Sequence, residues 1–461
     1  MKTIFTTLAA MLAMSIAPAQ AEDAQGVWSG TIANSLRVIV QFTKPADGPW
    51  QASITVPAQN FSAPVENVVV TPEQVSFALP RLKATYSATW NAQDGLWKGT
   101  WKQGQATPLD LKRTSAEAVK PKRPQEAAIA ASPATYTSSE VGFDNVAAKV
   151  KLAGTFTVPQ GKGPFPAVVL VHGSGPLDRD SEVFGHKLFL VLADHLSRQG
   201  IAVLRYDKRG IGKSTGTLRE STTLDLADDA GAAVRFLRTR PEVDSARIGV
   251  VGHSEGGLIA PLIASRDPAL GFVVMLAAPG VRGDRILVEQ MALASKARGA
   301  SEARIARERA LNGQLFAAMV AEPTLDGARS QASRILGEAE GRGELPAGTA
   351  KSLVDRFGTA WFHALLRYEP APVLQAVRQP VLALNGERDQ QVLASMDLPA
   401  VRTALQGNPR AVVKEMAGMN HLFQEARTGA VNEYVDIEQT MAPQALATIG
   451  NWIGSVIATN K

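Results

Sequence analysis

The sequence predicts an α/β domain, built on a mostly parallel sheet flanked by helices. A helical insertion interrupts it, and a small all-β, barrel-like domain precedes it. Three observations carry this reading. From about residue 137, short continuous apolar runs alternate with amphipathic segments, as expected of a sheet buried on both faces. One interval, Asp284 to Ala376, breaks that rhythm and is mostly helical, rich in Ala, Arg and Glu. Residues 24 to about 113 instead carry short strand-like stretches separated by Gly, Pro, Asn and Asp.

Composition narrows the chemistry before any motif is read. With 45% apolar and 20% charged residues, the 461-residue chain is globular in class, not disordered or fibrous. Its net charge of +5 comes without a dense Lys/Arg stripe, so a nucleic-acid partner is not expected. There is no cysteine, which removes disulfides, thiolate metal sites and a thiol nucleophile together. Catalysis must then rest on Ser, His, Asp, Glu, Lys or Tyr.

Taken in chain order, residues 1–21 have the features of a secretory signal peptide: Lys2, an apolar stretch from Ile4 to Ala17, and the small-x-small site Ala19-Gln20-Ala21. The apolar stretch is shorter than the roughly 20 residues of a spanning helix. Cleavage is expected after Ala21, giving a periplasmic or secreted protein without stable membrane insertion. Strands follow at Ser35–Phe42, Trp50–Val56, Val65–Val70, Val75–Leu79, Thr85–Trp90 and Leu96–Trp101, within a β-rich domain over 22–113. Five of the seven tryptophans lie here, at 28, 50, 90, 97 and 101, and are read as core and barrel plugs rather than a ligand groove. The echo between Gly26-Val27-Trp28 and Gly95-Leu96-Trp97 predicts first and last strands that meet as the sheet closes. The Gly-x-Trp start resembles lipocalins, although this domain is shorter than one of ordinary size. Residues 114–136, with Pro121, Pro124, Pro133 and a charged run, read as an unpacked linker.

The α/β domain occupies 137–461. A hairpin (Ser139–Phe143, Val150–Val158) opens it, and the buried runs are Ala167–Val171, Ile201–Arg205, Ile248–Val251, Phe272–Leu276, Val381–Leu384 and Val412–Glu415. Helices are expected at Lys187–Arg198, Asp225–Thr239, Gly257–Arg266, Ala400–Leu405 and Ala445–Ile457. The interruption, at about 281–378, is of a size that suits a cap over a site.

The string Gly-x-Ser-x-Gly occurs twice, and context separates the copies. Ser254 follows the buried run Arg247–Val251 and precedes the apolar Gly257–Ile263, the strand–turn–helix setting in which a serine projects above a sheet edge. Ser214 has neither flank. Its Gly210-Ile211-Gly212-Lys213-Ser214 loop also fails as a phosphate-binding loop, since Asp207 stands where a glycine is needed. We read it as structural, with Asp207 and Arg209 paired.

A serine nucleophile needs a base, and the base a third group that holds its tautomer. In this setting the acid and then the histidine follow the serine along the chain. Only His363 and His421 come after Ser254; His363 lies in the helical insertion, and His421 follows the last strand, where the base is expected. The acid is expected after the preceding strand. Asp389 is favoured there, with Glu387 its main rival and Asp284 a weaker one. Oxyanion donors are expected from the backbone N–H of Glu255 and from the His172-Gly173-Ser174-Gly175 loop, Ser174 preferred over Gly175. His172 itself is read as structural.

With these residues in view, the chain from 164 to 460 resembles the α/β-hydrolase superfamily, and within it a bacterial group of secreted esterases and serine-aminopeptidase-like hydrolases. The resemblance rests on Pro164–Pro176, on Ala193–Leu196 through Arg205–Gly210, and on Gly252–Gly257. It implies an α/β-hydrolase fold and an acyl-enzyme mechanism, carried here by Ser254, Asp389 and His421 without cofactor or metal. The loop reads His-Gly-Ser-Gly and not the His-Gly-Gly-Gly of lipase-like members, which weakens support for tertiary-alcohol esters. Three functions compete: a carboxylesterase acting on small acyl esters comes first, an aminopeptidase-like amide hydrolase with the same triad second. The third is a binding protein that uses the tryptophan-rich domain.

Overall fold

The structure, a computed structural model, describes residues 24–32, 36–57, 61–119, 121–133 and 135–459. The expected signal peptide and its cleavage site lie outside these residues, as does Ser35. The chain divides after Lys120 into two compact units. Among the described residues no helix is long and apolar enough to cross a membrane.

The first unit is an antiparallel sheet of β1 (Gly26–Ile32), β2 (Leu36–Thr43), β3 (Gln51–Val56), β4 (Phe61–Pro64), β5 (Glu66–Val70), β6 (Gln74–Leu79), β7 (Ala84–Asn91), β8 (Leu96–Gln103), β9 (Gln105–Pro108) and β10 (Leu111–Thr114). Its strands run β4-β3-β2-β1-β10-β8-β7-β6-β5, with β9 paired to β8. The two ends of that path, β4 and β5, are joined in sequence through Val65, whose N–H bonds Ala52 O at 3.0 Å. The sheet therefore nearly closes, as alternating buried positions such as those of β3 and β6 require. The echoed strands do not meet: β10 pairs with both β1 and β8 and separates them. Trp28, Trp97 and Trp101 are buried in this core, and Trp90 packs edge-on against Trp28 and Trp97.

The segment read as an unpacked linker is largely ordered. It contains α1 (Ala116–Val119) and α2 (Pro124–Ala131). Proline starts α2 because its missing N–H is unneeded in a first helical turn. Arg123 donates to the carbonyls of Phe184, Gly185, Val435 and Ile437, and to that of its neighbour Lys122. The charged run that suggested solvent thus supplies a guanidinium whose fan of donors satisfies two loops of the second unit.

The second unit is an eight-stranded sheet in the order β11-β12-β16-β13-β17-β18-β19-β20. The antiparallel hairpin β11 (Tyr136–Asn145) and β12 (Val150–Pro159) leads to β13 (Phe165–Val171). The short pair β14 (Glu182–Val183) and β15 (His186–Lys187) lies apart, followed by β16 (Ala202–Tyr206), β17 (Val243–His253), β18 (Phe272–Leu276), β19 (Val381–Gly386) and β20 (Ala411–Met416). From β16 to β20 every neighbouring pair in the sheet is parallel. Helices α3 (Leu188–Arg198), α4 (Thr223–Arg238) and α5 (Glu255–Arg266) connect the first of these strands. Two buried clusters cover the sheet, one including Val169, Ile248 and Ile259, the other Val168, Leu192 and Ile449. Burial on both faces is why these strands read as unbroken apolar runs.

Between β18 and β19 stand six helices: α6 (Gly283–Ala297), α7 (Glu302–Ala321), α8 (Leu325–Gly341), α9 (Thr349–Phe357), α10 (Ala360–Arg367) and α11 (Pro370–Ala376). Phe316, Phe357 and Phe362 form a separate small core among them. The chain ends through α12 (Ala394–Ala404) and α13 (Pro443–Thr459). In such a sheet the carboxyl ends of the strands are where chemistry collects. Here β13, β17, β19 and β20 each end immediately before a segment singled out in the sequence.

Candidate active site

Ser254 sits between the end of β17 and the start of α5 with φ of 55°. A non-glycine residue at positive φ is uncommon and persists only where its surroundings enforce it. Here the enforcement is backbone contact. A Cβ on Gly252 would stand 1.9 Å from Gly256 O, and one on Gly256 would stand 2.0 Å from Val171 O. Strand and helix come together only because both positions lack a side chain. The N–H of Ser254 continues the ladder to Leu276 O at 2.8 Å. Its side chain is half-buried between the buried His253 and Glu255.

Asp389 follows β19 after a turn closed by its own N–H on Gly386 O. One carboxylate oxygen accepts the N–H groups of Gln391 and Val392, at 2.7 and 2.9 Å. The other meets Nδ1 of His421 at 2.7 Å. A carboxylate accepts, so Nδ1 donates and Nε2 of His421 is left as the acceptor. His253 Nε2 donates to the backbone oxygen of His421 at 2.8 Å, which ties the histidine loop to the residue beside Ser254. Burial, reinforced by the neighbouring His421, pushes His253 down to about 3, so it serves as a neutral donor.

The remaining candidates fall elsewhere. Glu387 is exposed, and its carboxylate accepts the N–H of Gly418 at 2.7 Å. Asp284 pairs with Arg282 at the start of α6. His363 lies in α10 and contacts Glu322 O. His172 is buried between the rings of Phe189 and Tyr206, and burial pushes it down to about 3. Ser214 donates to Asp207 O at 2.7 Å and receives the N–H of Ala153, a structural knot. The expected Asp207–Arg209 pair is absent. Asp207 binds Arg179 at 2.8 Å, and Arg209 binds Asp229 at 2.6 Å.

The His172–Gly175 loop lies against the serine: a Cβ on Gly173 would stand 3.0 Å from Ser254 Cβ. Ser174 is exposed. Glu255 opens α5, so its N–H has no partner within the helix. Three side chains that the sequence reading left out belong to this neighbourhood. His253 holds the His421 loop, Lys208 reaches the carbonyls of Gly173 and Gly175, and Trp361 from α10 donates to Glu255. Position within the Gly-x-Ser-x-Gly string and the Arg205–Gly210 run was the available signal for the first two; Trp361 had none. Among the described residues no three His, Asp or Glu side chains are grouped as a metal site needs. A hydroxyl on a strained turn, an imidazole with one nitrogen fixed by a buried carboxylate, and a glycine-lined loop form a set suited to acyl transfer.

The chain is similar to several known proteins. Esterase EstD of Thermotoga maritima is 32% identical over 272 residues, covering 59% of this chain and 58% of the relative. The chain thus matches little more than half the length of that relative. Esterase FrsA of Klebsiella pneumoniae is 29% identical over 133 residues, 29% of this chain and 30% of that one. Among solved structures, the Pyrococcus furiosus esterase Pf2001 is 18% identical with a TM-score of 0.41, covering 69% of this chain and 92% of its own. The alpha/beta hydrolase family matches residues 168–434, a span that holds Ser254, Asp389 and His421 and exceeds half the chain. By that match, and by a parallel sheet whose strand ends carry those three residues, the chain belongs to the alpha/beta hydrolase family.

Proposed function

We propose that this hydrolase is a carboxylesterase acting through an acyl-enzyme on Ser254. His421 Nε2 takes the Ser254 proton as the hydroxyl oxygen attacks the acyl carbonyl. The N–H groups of Glu255 and Ser174 receive the oxyanion of the tetrahedral intermediate. The ester alcohol leaves with the proton from His421, and water, deprotonated in turn by His421, releases the acid from the serine. Asp389 holds the imidazole tautomer throughout. The single observation that carries this reading is the buried His421–Asp389 bond at 2.7 Å. The similarity to EstD favours an ester over an amide.

The test is a panel of p-nitrophenyl esters beside aminoacyl p-nitroanilides, on wild type and Ser254→Ala. Turnover of short acyl esters that vanishes in the variant is expected. Undiminished turnover in Ser254→Ala rules out the assignment, and faster anilide cleavage moves the substrate class to amides. The sequence of residues 1–21 supports export to the periplasm or beyond. Expression in a bacterial host should then yield a product beginning at Glu22, read by intact mass; an unprocessed cytoplasmic product overturns export.

A further inference from the structure

We propose that Lys208 is the positioning residue of the oxyanion loop and that Trp361 couples the helical insertion to it through Glu255. The proposal rests on reading Ser254 as the nucleophile. Lys208 follows β16 and is 3% exposed. Its ammonium donates to Gly173 O at 2.6 Å and to Gly175 O at 3.1 Å, the carbonyls on either side of Ser174. The third direction faces Glu255 Oε2 at 3.6 Å. That third contact is an ion pair and not a hydrogen bond, and among the described residues Glu255 Oε2 has no hydrogen-bond partner.

The consequence for the loop follows from peptide geometry. In a trans peptide the C=O and the following N–H point in opposite directions. Drawing Gly173 O toward Lys208 therefore turns the N–H of Ser174 away from Lys208. Gly175 O is held the same way, and the next residue, Pro176, has no N–H to compete. Glycine at 173 and 175 leaves these torsions soft, so an external clamp decides them. A neutral clamp would hold less firmly, because hydrogen bonds from a charged donor are about twice as strong.

Glu255 ties the other donor to the same device. Its backbone N–H opens α5, while its carboxylate faces Lys208 and accepts from Thr223 Oγ1 and Trp361 Nε1, each at 2.7 Å. A buried ammonium is tolerated only beside such a partner. Burial draws Lys208 below its ordinary range, and Glu255 opposes that fall. Trp361 belongs to α10 of the insertion, so displacement of α10 withdraws one of the donors that fix the carboxylate. The insertion and both oxyanion donors are thus linked through one side chain.

The experiment uses the full chain and a short p-nitrophenyl ester, with rates expressed per active site counted by complete phosphonylation of the serine. Lys208→Met is expected to lower kcat about 10²-fold, the cost of a misplaced oxyanion donor. KM should move less than about threefold, since substrate binding is not what Lys208 controls. Affinity for a trifluoromethyl ketone, which forms the oxyanion when bound, should fall in step with kcat/KM. Lys208→Gln, whose amide can reach one carbonyl, should recover part of the rate. Trp361→Phe should lower kcat about fivefold, the lower end of ordinary coupling energies. A purely structural lysine would lower the melting temperature and the number of active sites while leaving kcat per site and ketone affinity unchanged; that result overturns the proposal. Should Lys208→Met not fold, Lys208→Gln is judged by the same criteria. Hydrolysis surviving in Ser254→Ala would instead sink the nucleophile assignment, whereas an inactive Ser254→Ala beside an unimpaired Lys208→Met refutes the role of Lys208 alone.

Discussion

His421 Nδ1 lies 2.7 Å from Asp389 Oδ2, with both residues 4% exposed. The carboxylate cannot turn away, since its other oxygen is held by two backbone N–H groups. Asp389→Asn should keep the shape but present an amide to the imidazole, favouring the wrong tautomer. We expect kcat on a p-nitrophenyl ester to fall roughly 10⁴-fold. Glu387→Gln should change it less than about threefold, because Glu387 is exposed and its carboxylate accepts the Gly418 N–H. Steady-state kinetics of the two variants decide the acid, and the opposite ranking transfers the role to Glu387.

Strain at Ser254 gives a prediction about stability. At φ of 55° a side chain is disfavoured and glycine is not. Ser254→Ala and Ser254→Gly both remove the hydroxyl, but only glycine relieves the backbone. Urea unfolding should find the glycine variant more stable than the alanine variant by about 1 kcal/mol. Equal midpoints, or a more stable alanine variant, would contradict a strained turn.

The strands β13, β16, β18 and β19 were legible as continuous apolar runs because each is buried on both faces, and Phe272–Leu276 is read to the residue. Ser254 and its flanks were legible because the turn needs glycine at two positions, and glycine leaves a mark in a sequence. Asp389 and His421 followed from chain order along a parallel sheet. What stayed hidden depends on three-dimensional pairing. Lys208 and Glu255 are far apart in sequence and meet only once β16 and β17 flank β13. Arg123 looked like a solvated charge because its acceptors are backbone carbonyls, which have no sequence signature. Closure of the first unit was misplaced for a related reason: similar strands suggest pairing, but β10 satisfies both edges.

Arg123 makes the boundary of the hydrolase unit testable. In the same segment, Gln125 exchanges hydrogen bonds with the backbone of Thr440 and Met441, and Glu126 accepts from Thr440 Oγ1. These contacts brace the segment that follows His421. We expect Arg123→Ala to cost about 2 kcal/mol, from the loss of several charge-assisted hydrogen bonds to backbone carbonyls. A hydrolase unit beginning at Tyr136 should melt below one beginning at Pro121. Identical thermal transitions for the two fragments would return residues 121–135 to the status of a linker.

Asp397 provides a pH-dependent prediction with a defined sign. It is fully buried on α12, and one oxygen accepts the N–H groups of Gly280 and Val281 at 2.7 and 3.2 Å, where the chain enters the insertion. Among the described residues its other oxygen has no hydrogen-bond partner. Burial first, and then the charge of Asp389, push its carboxyl up from 3.8 to about 6, against the two N–H groups. The folded protein therefore binds a proton there more tightly than the unfolded chain. Its contribution to stability is fully present below about pH 4 and is lost as the pH rises through about 6. Asp397→Asn keeps an acceptor for Gly280 and Val281 and does not titrate; any cost of its unpaired amide is the same at every pH. Between pH 4 and 6.5 the unfolding free energy of wild type should fall by about 2 kcal/mol relative to the variant. The buried His172, His186 and His253 oppose this trend, being pushed down and favouring folding as the pH rises, but they are common to both proteins and cancel in the difference. Urea titrations of both proteins across that range measure the gap, and parallel curves would mean that Asp397 is already ionised at pH 4.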